Sequence, residues 1–165
     1  MQKYFQSITS ISYLLVSLLL FFIQKANADC YALGCTCSIA VTGMNFGIIR
    51  NFPATTTASI NVSCAALLPG QITYDITLGT GNSGIYTMRK MSNGLDNLNY
   101  NIYTSLNYQS IWGGGTSDAQ KVSENYTIKL LTLHVKNYTA YGMIPINQNV
   151  PGGAYSDNIV VNVNF

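Results

Sequence analysis

Charge is what this sequence has least of. Only 8% of its 165 residues are Asp, Glu, Lys or Arg, against roughly 25% in ordinary soluble domains. The polar surface must therefore come from Asn, Ser, Thr, Gln and Tyr, as in many secreted all-β proteins. Lys3 and Lys25 fall in a leader described below, and without them six basic and six acidic residues remain. A neutral chain has no electrostatic footprint for nucleic acid or an anionic membrane. Histidine is nearly missing too. His134 is the single one, so Ser-His-Asp or Cys-His chemistry would have to use it. It sits in an apolar run with no nucleophile motif such as Gly-x-Ser-x-Gly, and reads as a structural histidine with its hydrogen bonds satisfied. The carboxylates Asp75, Asp96, Asp118, Glu124 and Asp157 are scattered singly and give no spacing for a glycosidase pair. Gly79-Thr-Gly-Asn-Ser-Gly84 lacks the Gly-Lys-Ser/Thr that would follow in a phosphate loop, and reads as a hairpin tip. These absences leave no catalytic residue to name, no metal site and no cofactor.

A long hydrophobic run is also missing. The longest, Ile11 to Ile23, has about 13 residues and falls short of the ~20 needed to span a bilayer. With Lys3 before it and Ala26-Asn27-Ala28 after it, residues 1–28 read as a signal peptide cleaved before Asp29. Residues 29–165 then form one domain of ordinary size. A membrane is met only through the cleaved leader. Export delivers the chain to an oxidising compartment, where Cys30, Cys35, Cys37 and Cys64 read as two disulfides. Sequence alone allows three pairings. The preferred one joins Cys37 to Cys64 between two strands and closes a small loop with Cys30–Cys35. A metal site built from these thiols and His134 is disfavoured by the spacing and the lone histidine.

What is present is alternation with period two. In Tyr155-Ser-Asp-Asn-Ile-Val-Val-Asn-Val-Asn-Phe165, residues Ile159, Val161, Val163 and Phe165 point one way and Asn158, Val160, Asn162 and Asn164 the other. That is a strand with one buried face, and it runs to the end of the sequence with its second edge unpartnered. The same pattern marks Cys37–Thr42, Ser59–Cys64, Ile72–Leu78, Leu98–Ile102 and Tyr138–Ile144. Pro53 with the following threonines reads as a loop, and Leu68-Pro-Gly-Gln71 as a turn. From 126 to 135 the phase flips after Leu130, which fits a bulged strand better than a short helix. Asp157 is expected to cap the turn before the last strand. About six to seven short strands with turns between them mean an all-β sandwich. Twelve tyrosines invite a carbohydrate-groove reading through Tyr86, Tyr103, Tyr108 and Tyr126, although tyrosine is also an ordinary strand residue. Sequons at Asn61, Asn125 and Asn137 are formal only.

Several ordered motifs resemble one family. Cys37-Ser-Ile-Ala-Val-Thr-Gly-Met-Asn-Phe-Gly47 resembles the Cys-x-Val-…-Phe-Gly opening of the spore coat protein U domain, found in subunits of archaic, Csu-type chaperone–usher pili. Ile60-Asn-Val-Ser-Cys64 resembles its second cysteine strand, Arg89-Lys-Met91 its Arg-x-Met, and Leu98-Asn-Tyr-Asn-Ile-Tyr103 its LxYxLY strand. Trp112-Gly113 and the ending Gly153-Ala-Tyr155-Ser-Asp157 onward are similar as well. The resemblance implies an incomplete immunoglobulin-like sandwich, one strand short, and structural roles for Gly47, Arg89, Trp112, Gly113, Tyr155 and Asp157. It also implies partners: a periplasmic chaperone, an outer-membrane usher and other pilus subunits. Ile39, Val41 and Phe46, with Ile159, Val161, Val163 and Phe165, are then expected to line a groove for a donated strand.

The function this implies is a structural subunit of a surface fibre or spore-coat-like layer, assembled by donor-strand complementation and serving adhesion and biofilm formation. Such a subunit passes through the periplasm and ends extracellular or on the cell surface. The rival expectation is a secreted carbohydrate- or surface-binding module that completes its own sandwich. Asp29 to Thr36 would reach only about 26 Å fully extended at ~3.3 Å per residue, and a Cys30–Cys35 bridge would shorten that. The chain is therefore expected to accept a strand but donate poorly, as a tip subunit would.

Overall fold

The computed structural model describes residues 34–49 and 53–165. The leader at 1–28 and Cys30, with the bridge expected to Cys35, lie outside the described residues. Among the described residues eight strands form, against the about six to seven expected: β1 Thr36–Val41, β2 Ala54–Ala66, β3 Gly70–Leu78, β4 Arg89–Ser92, β5 Asn97–Tyr103, β6 Val122–Ile128, β7 Thr132–Ile144 and β8 Val161–Asn164. They make two sheets, β1-β2-β7-β5-β4 and β6-β3-β8, with every ladder antiparallel. The core lies between the sheets. Ile60, Val62 and Cys64 of β2 face Ile72, Tyr74, Ile76 and Leu78 of β3, all buried, as period-two patterning requires. Among the described residues no helix is long and apolar enough to cross a membrane.

Several expected boundaries move, each for a physical reason. The threonines after Pro53 are strand, not loop, because Thr55 to Thr57 pair with Tyr141 to Met143 of β7 and β-branched residues suit that surface. The phase flip near Leu130 is neither a bulge nor a helix. Residues 129–131 turn the chain from one sheet to the other, with Leu131 at φ 50° and the Thr132 hydroxyl donating to the Lys129 carbonyl at 2.8 Å. The inward face changes because the sheet changes. Likewise Gly79–Gly84 is not a hairpin tip. It holds a 3-10 turn, Gly81–Ser83, and links β3 to β4, which lie in different sheets.

The terminal segment alternates in burial from Tyr155 to Phe165 as expected, yet only Val161–Asn164 pairs with β3. Further back, Ser156 exchanges two backbone hydrogen bonds with Ser92 of β4, at 2.8 and 3.0 Å. The last eleven residues therefore start on the five-stranded sheet and finish on the three-stranded one.

One flank of the sandwich, where β6 faces β7, is latched by side chains. Lys136 pairs with Glu124 at 2.8 Å, Tyr138 donates to Glu124 at 3.0 Å, and the Tyr138 and Tyr74 hydroxyls lie 2.8 Å apart. The Tyr126 ring stacks on His134 with centroids 4.0 Å apart, and burial pushes the Tyr126 phenol up to about 12. His134 is structural, but its Nε2 is buried with no partner, so the expected satisfied histidine is not what forms.

The hydrogen bond from Lys136 holds the Glu124 carboxyl below its ordinary range, and that from Lys121 does the same to Asp75. A carboxyl whose pKa is lower folded than unfolded adds stability that is complete above the unfolded value and lost as pH falls through the folded one. Resistance to urea should therefore fall once the pH drops below about 4.3 for Glu and 3.9 for Asp. The double variant Glu124→Gln, Asp75→Asn should show a shallower acid limb over the same pH series. An unaltered limb would remove both groups from the account.

Candidate functional site: an open groove between the sheets

The opposite flank is not latched. β1 pairs only with β2, with Cys37 opposite Cys64, Ile39 opposite Val62 and Val41 opposite Ile60. Cys37 and Cys64 are disulfide-bonded with Cα atoms 4.1 Å apart. Closing a loop across a separation of 27 residues stabilises by about 3–4 kcal/mol on the chain-entropy estimate. The register turns Ile39 and Val41 toward the core beside Val62 and Ile60. Those neighbours are 1% exposed, yet Ile39 and Val41 are 45% and 49% exposed. Inward-facing side chains half open to water mean that no described segment seals them.

Beyond Val41 the chain stays alongside β2. The Thr42 amide donates to the Ser59 carbonyl at 2.9 Å, and the Thr56 hydroxyl to the Asn45 carbonyl at 2.7 Å. The phase shifts by one residue at Thr42–Gly43, so Met44 and Phe46 face inward next. A cavity of about 440 Å³ lies between this segment and the terminal one. Val41, Met44, Phe46, Ile159 and Val161 line its walls, and Ala58, Ile60 and Ala140 are among the residues beneath. Of the expected groove residues, Val41, Phe46, Ile159 and Val161 meet at the cavity. Ile39, Val163 and Phe165 face the same interior but do not line it. Val163 lies opposite Ile76, and Phe165 packs on Tyr74 with ring centroids 5.4 Å apart. Sequence reasoning missed Met44, Ala58 and Ala140.

The motif residues form the frame of this flank. Arg89, fully buried, donates from Nε and Nη2 to the Gly79 carbonyl at 3.0 and 2.7 Å. It also donates to the Trp112 carbonyl at 2.8 Å and to Asn101 Oδ1 at 2.8 Å. Burial lowers its pKa, but a guanidinium stays charged in proteins, and carbonyl dipoles disperse that charge where no carboxylate touches it. The Trp112 indole donates to the Ile76 carbonyl at 3.0 Å. Gly113 is a site of close approach, where a Cβ would collide with Ala119 and the Tyr86 ring. Asp157 accepts from Tyr100 at 2.8 Å, from the Asn82 amide at 2.9 Å and from the Asn158 amide at 2.8 Å. It is thus a clasp between the 3-10 turn and the terminal segment, beyond the expected turn cap. Gly47 takes φ 66° and donates to Asn45 Oδ1 at 2.8 Å. Tyr155 donates to the Pro151 carbonyl at 2.9 Å.

The four tyrosines proposed for sugar stacking are held in separate contacts. Tyr103 packs edge-on against Tyr108, Tyr86 lies under the Arg89 guanidinium, and Tyr126 covers His134. Asn61 and Asn137, both in formal sequons, hydrogen-bond each other across β2 and β7. Among the described residues no group of three or more His, Cys, Asp or Glu is placed to hold a metal ion.

Comparison with known proteins relates the chain to a family, a curated protein and a solved structure. The family model of the spore coat protein U domain matches residues 25–162. Protein U of Myxococcus xanthus is 28% identical over 114 residues, which is 66% of this chain and 59% of that protein. The chain thus spans under two thirds of the length of that relative. A chain of the crystal structure of the CsuC–CsuE chaperone–tip adhesion subunit pre-assembly complex, from archaic chaperone–usher Csu pili of Acinetobacter baumannii, superposes with a TM-score of 0.51. It is 21% identical, and the match covers 79% of this chain and 40% of that one.

The frame depends on Arg89. Arg89→Met strands the Gly79 and Trp112 carbonyls and should cost about 3 kcal/mol or more in unfolding free energy. Arg89→Lys should recover only part of this, because an ammonium cannot span three acceptors as the planar fork does. Urea denaturation of both variants checks the order.

Proposed function

The chain belongs to the spore coat protein U domain family, and on that premise we propose that it is a structural subunit of a secreted surface fibre of the chaperone–usher type. It accepts an extended strand from another polypeptide into the flank between β1 and β8. The observation that carries this reading is the contrast in burial across one ladder. Ile60 and Val62 are sealed, while Val41 and Ile39 beside them are half exposed, and Val41 lines the cavity. β1 and β8 are each paired on one edge only, so an added strand has main-chain donors and acceptors waiting on either side. Strand addition supplies those hydrogen bonds and places alternate side chains in the groove. Left open, the same edges promote aggregation, which is why a chaperone belongs in the scheme.

In this reading a periplasmic chaperone holds the groove during export, an outer-membrane usher receives the subunit, and another subunit replaces the chaperone. A structural neighbour drawn from a chaperone–tip adhesion subunit complex supports that class of partner. Adhesion and biofilm formation are the roles proposed for the assembled fibre. The self-complete binding module is the weaker reading, since the tyrosines it needs are engaged separately.

Co-expressed with a periplasmic chaperone of the chaperone–usher class, the protein should be recovered from the periplasm as a complex with that chaperone. Val161→Asp places a carboxylate on the cavity wall, where an unpaired charge is costly. It should lower periplasmic yield and abolish the complex. An undiminished complex in that variant would contradict the groove.

A further inference from the structure

A second cavity opens on the far flank from the groove, where β5 leaves β7. The two strands pair only through Asn101–Met143, Ile102–Gly142 and Tyr103–Tyr141. The chain then turns away, and the Thr104 amide donates to the Ser110 carbonyl at 3.0 Å. Between Thr104, Trp112, Val122 of β6 and the bared edge of β7 lies a notch of about 260 Å³. Its polar side follows from the register of β2 against β7. The N–H and C=O of one strand residue share a side, and successive residues alternate. The Ser59 carbonyl accepts from Thr42 on the β1 side, so Ala58 and Ile60 bond toward β7, opposite Ala140 and Tyr138. Asn137 and Thr139 therefore aim their main-chain N–H and C=O at the other edge, into the notch that they line.

We propose that this notch binds one ring of a neutral saccharide. The site draws on the adhesive role proposed above but not on strand acceptance, which uses the other flank. A neutral ligand follows from the lining, which includes no Lys, Arg, Asp or Glu. Each hydroxyl of a ring sugar both donates and accepts. That suits the alternating N–H and C=O groups of the edge and the Thr104 hydroxyl. The rings of Tyr138 and Tyr141, which also line the notch, supply apolar surface for the C–H face of the sugar. Tyr141 takes no part in the aromatic contacts that hold Tyr103, Tyr108 and Tyr126. An apolar cavity of about 150 Å³ suffices for a benzene molecule, so about 260 Å³ takes a single six-membered ring with its hydroxyls. An added strand fits less well. Strands run to roughly three residues or more, whereas only Asn137 and Thr139 lie between Tyr141 and the Lys136–Glu124 ion pair that ties the sheets together.

The test reads the fluorescence of Trp112, the only tryptophan of the chain, which lines the notch. Protein purified from the periplasm, with a chaperone bound or without one, is titrated with glucose, galactose, mannose and N-acetylglucosamine. Glucuronic acid is the charged control, and the chaperone alone is the blank. At least one neutral sugar should change the Trp112 emission saturably at concentrations where glucuronic acid does not. Tyr141→Leu removes the ring from an outward position, so it should weaken that sugar about tenfold and leave the melting temperature nearly unchanged. Thr104→Val removes one hydroxyl and should weaken it severalfold. An alternating valine–threonine peptide, added as a donor-strand mimic, should leave the sugar response as it was. If none of the four sugars alters Trp112, if glucuronic acid serves as well, or if both variants respond as the parent does, the saccharide site is wrong and strand acceptance stands. If the peptide displaces the sugar, the β7 edge takes a strand instead and the saccharide site falls.

Discussion

The structure depends on a mismatch between two sheets: five strands on one side and three on the other, with no described segment sealing the apolar face they share on the β1–β8 flank. Along β2 the interior is sealed, yet one strand further out Ile39 and Val41 meet water while facing inward. Each leucine-sized side chain left in this state forgoes up to about 1.5–3 kcal/mol of burial. The deficit is local, because everything around it is held tightly. The Cys37–Cys64 disulfide pins β1 to its single neighbour, and Arg89 gathers Gly79, Asn101 and Trp112 at one point. The opening is thus a built feature with rigid walls rather than a frayed edge.

Rigid walls matter for a site that works by adding a strand. An incoming peptide gives up conformational freedom on ordering, about 1–2 kcal/mol per residue, and a groove that also had to order itself would add to that cost. Here β8 is anchored by four ladder pairs to β3, and the segment before it by Asp157 and the Ser156–Ser92 bridge. The residues that frame the groove are not those that line it. Arg89, Trp112 and Gly113 keep the frame, while Val41, Ile159 and Val161 offer the surface.

Much of this could be read from the amino acids, and the gaps have clear causes. Alternation in the last eleven residues fixed which side chains face inward, since that depends only on period two. It could not say which sheet receives them, and Ser156 and Val161 turn out to pair with different sheets. The phase flip near Leu130 was visible, but a change of sheet and a bulge leave the same mark on a sequence. The threonines after Pro53 looked like loop because propensity there competes with composition, and pairing with β7 decides it. Val41 and Phe46 were legible as groove residues because they are large and apolar. Ala58 and Ala140 were not, because a depression is made by atoms that are missing. Arg89 stood out through a family resemblance, but its role needs acceptors 10, 12 and 23 residues away, a convergence no local pattern encodes.

The two flanks of the sandwich differ in kind, and this sets how many neighbours the molecule can hold. At β6 and β7 the inward positions carry Glu124, Lys136 and Tyr138, which bond to one another across the gap, and Tyr126, which stacks on His134. A polypeptide trying to wedge in there would have to break an ion pair and leave a partly buried carboxylate without it. Between β1 and β8 it meets chiefly apolar side chains, among them Val41, Met44, Phe46, Ile159 and Val161. On the proposed reading the described flanks offer one acceptor slot, and units joined through such a slot would extend as an unbranched line. Were the polar latch replaced by valines and leucines, the same fold would have two mouths, and the product would be a cross-linked mass instead of a thread.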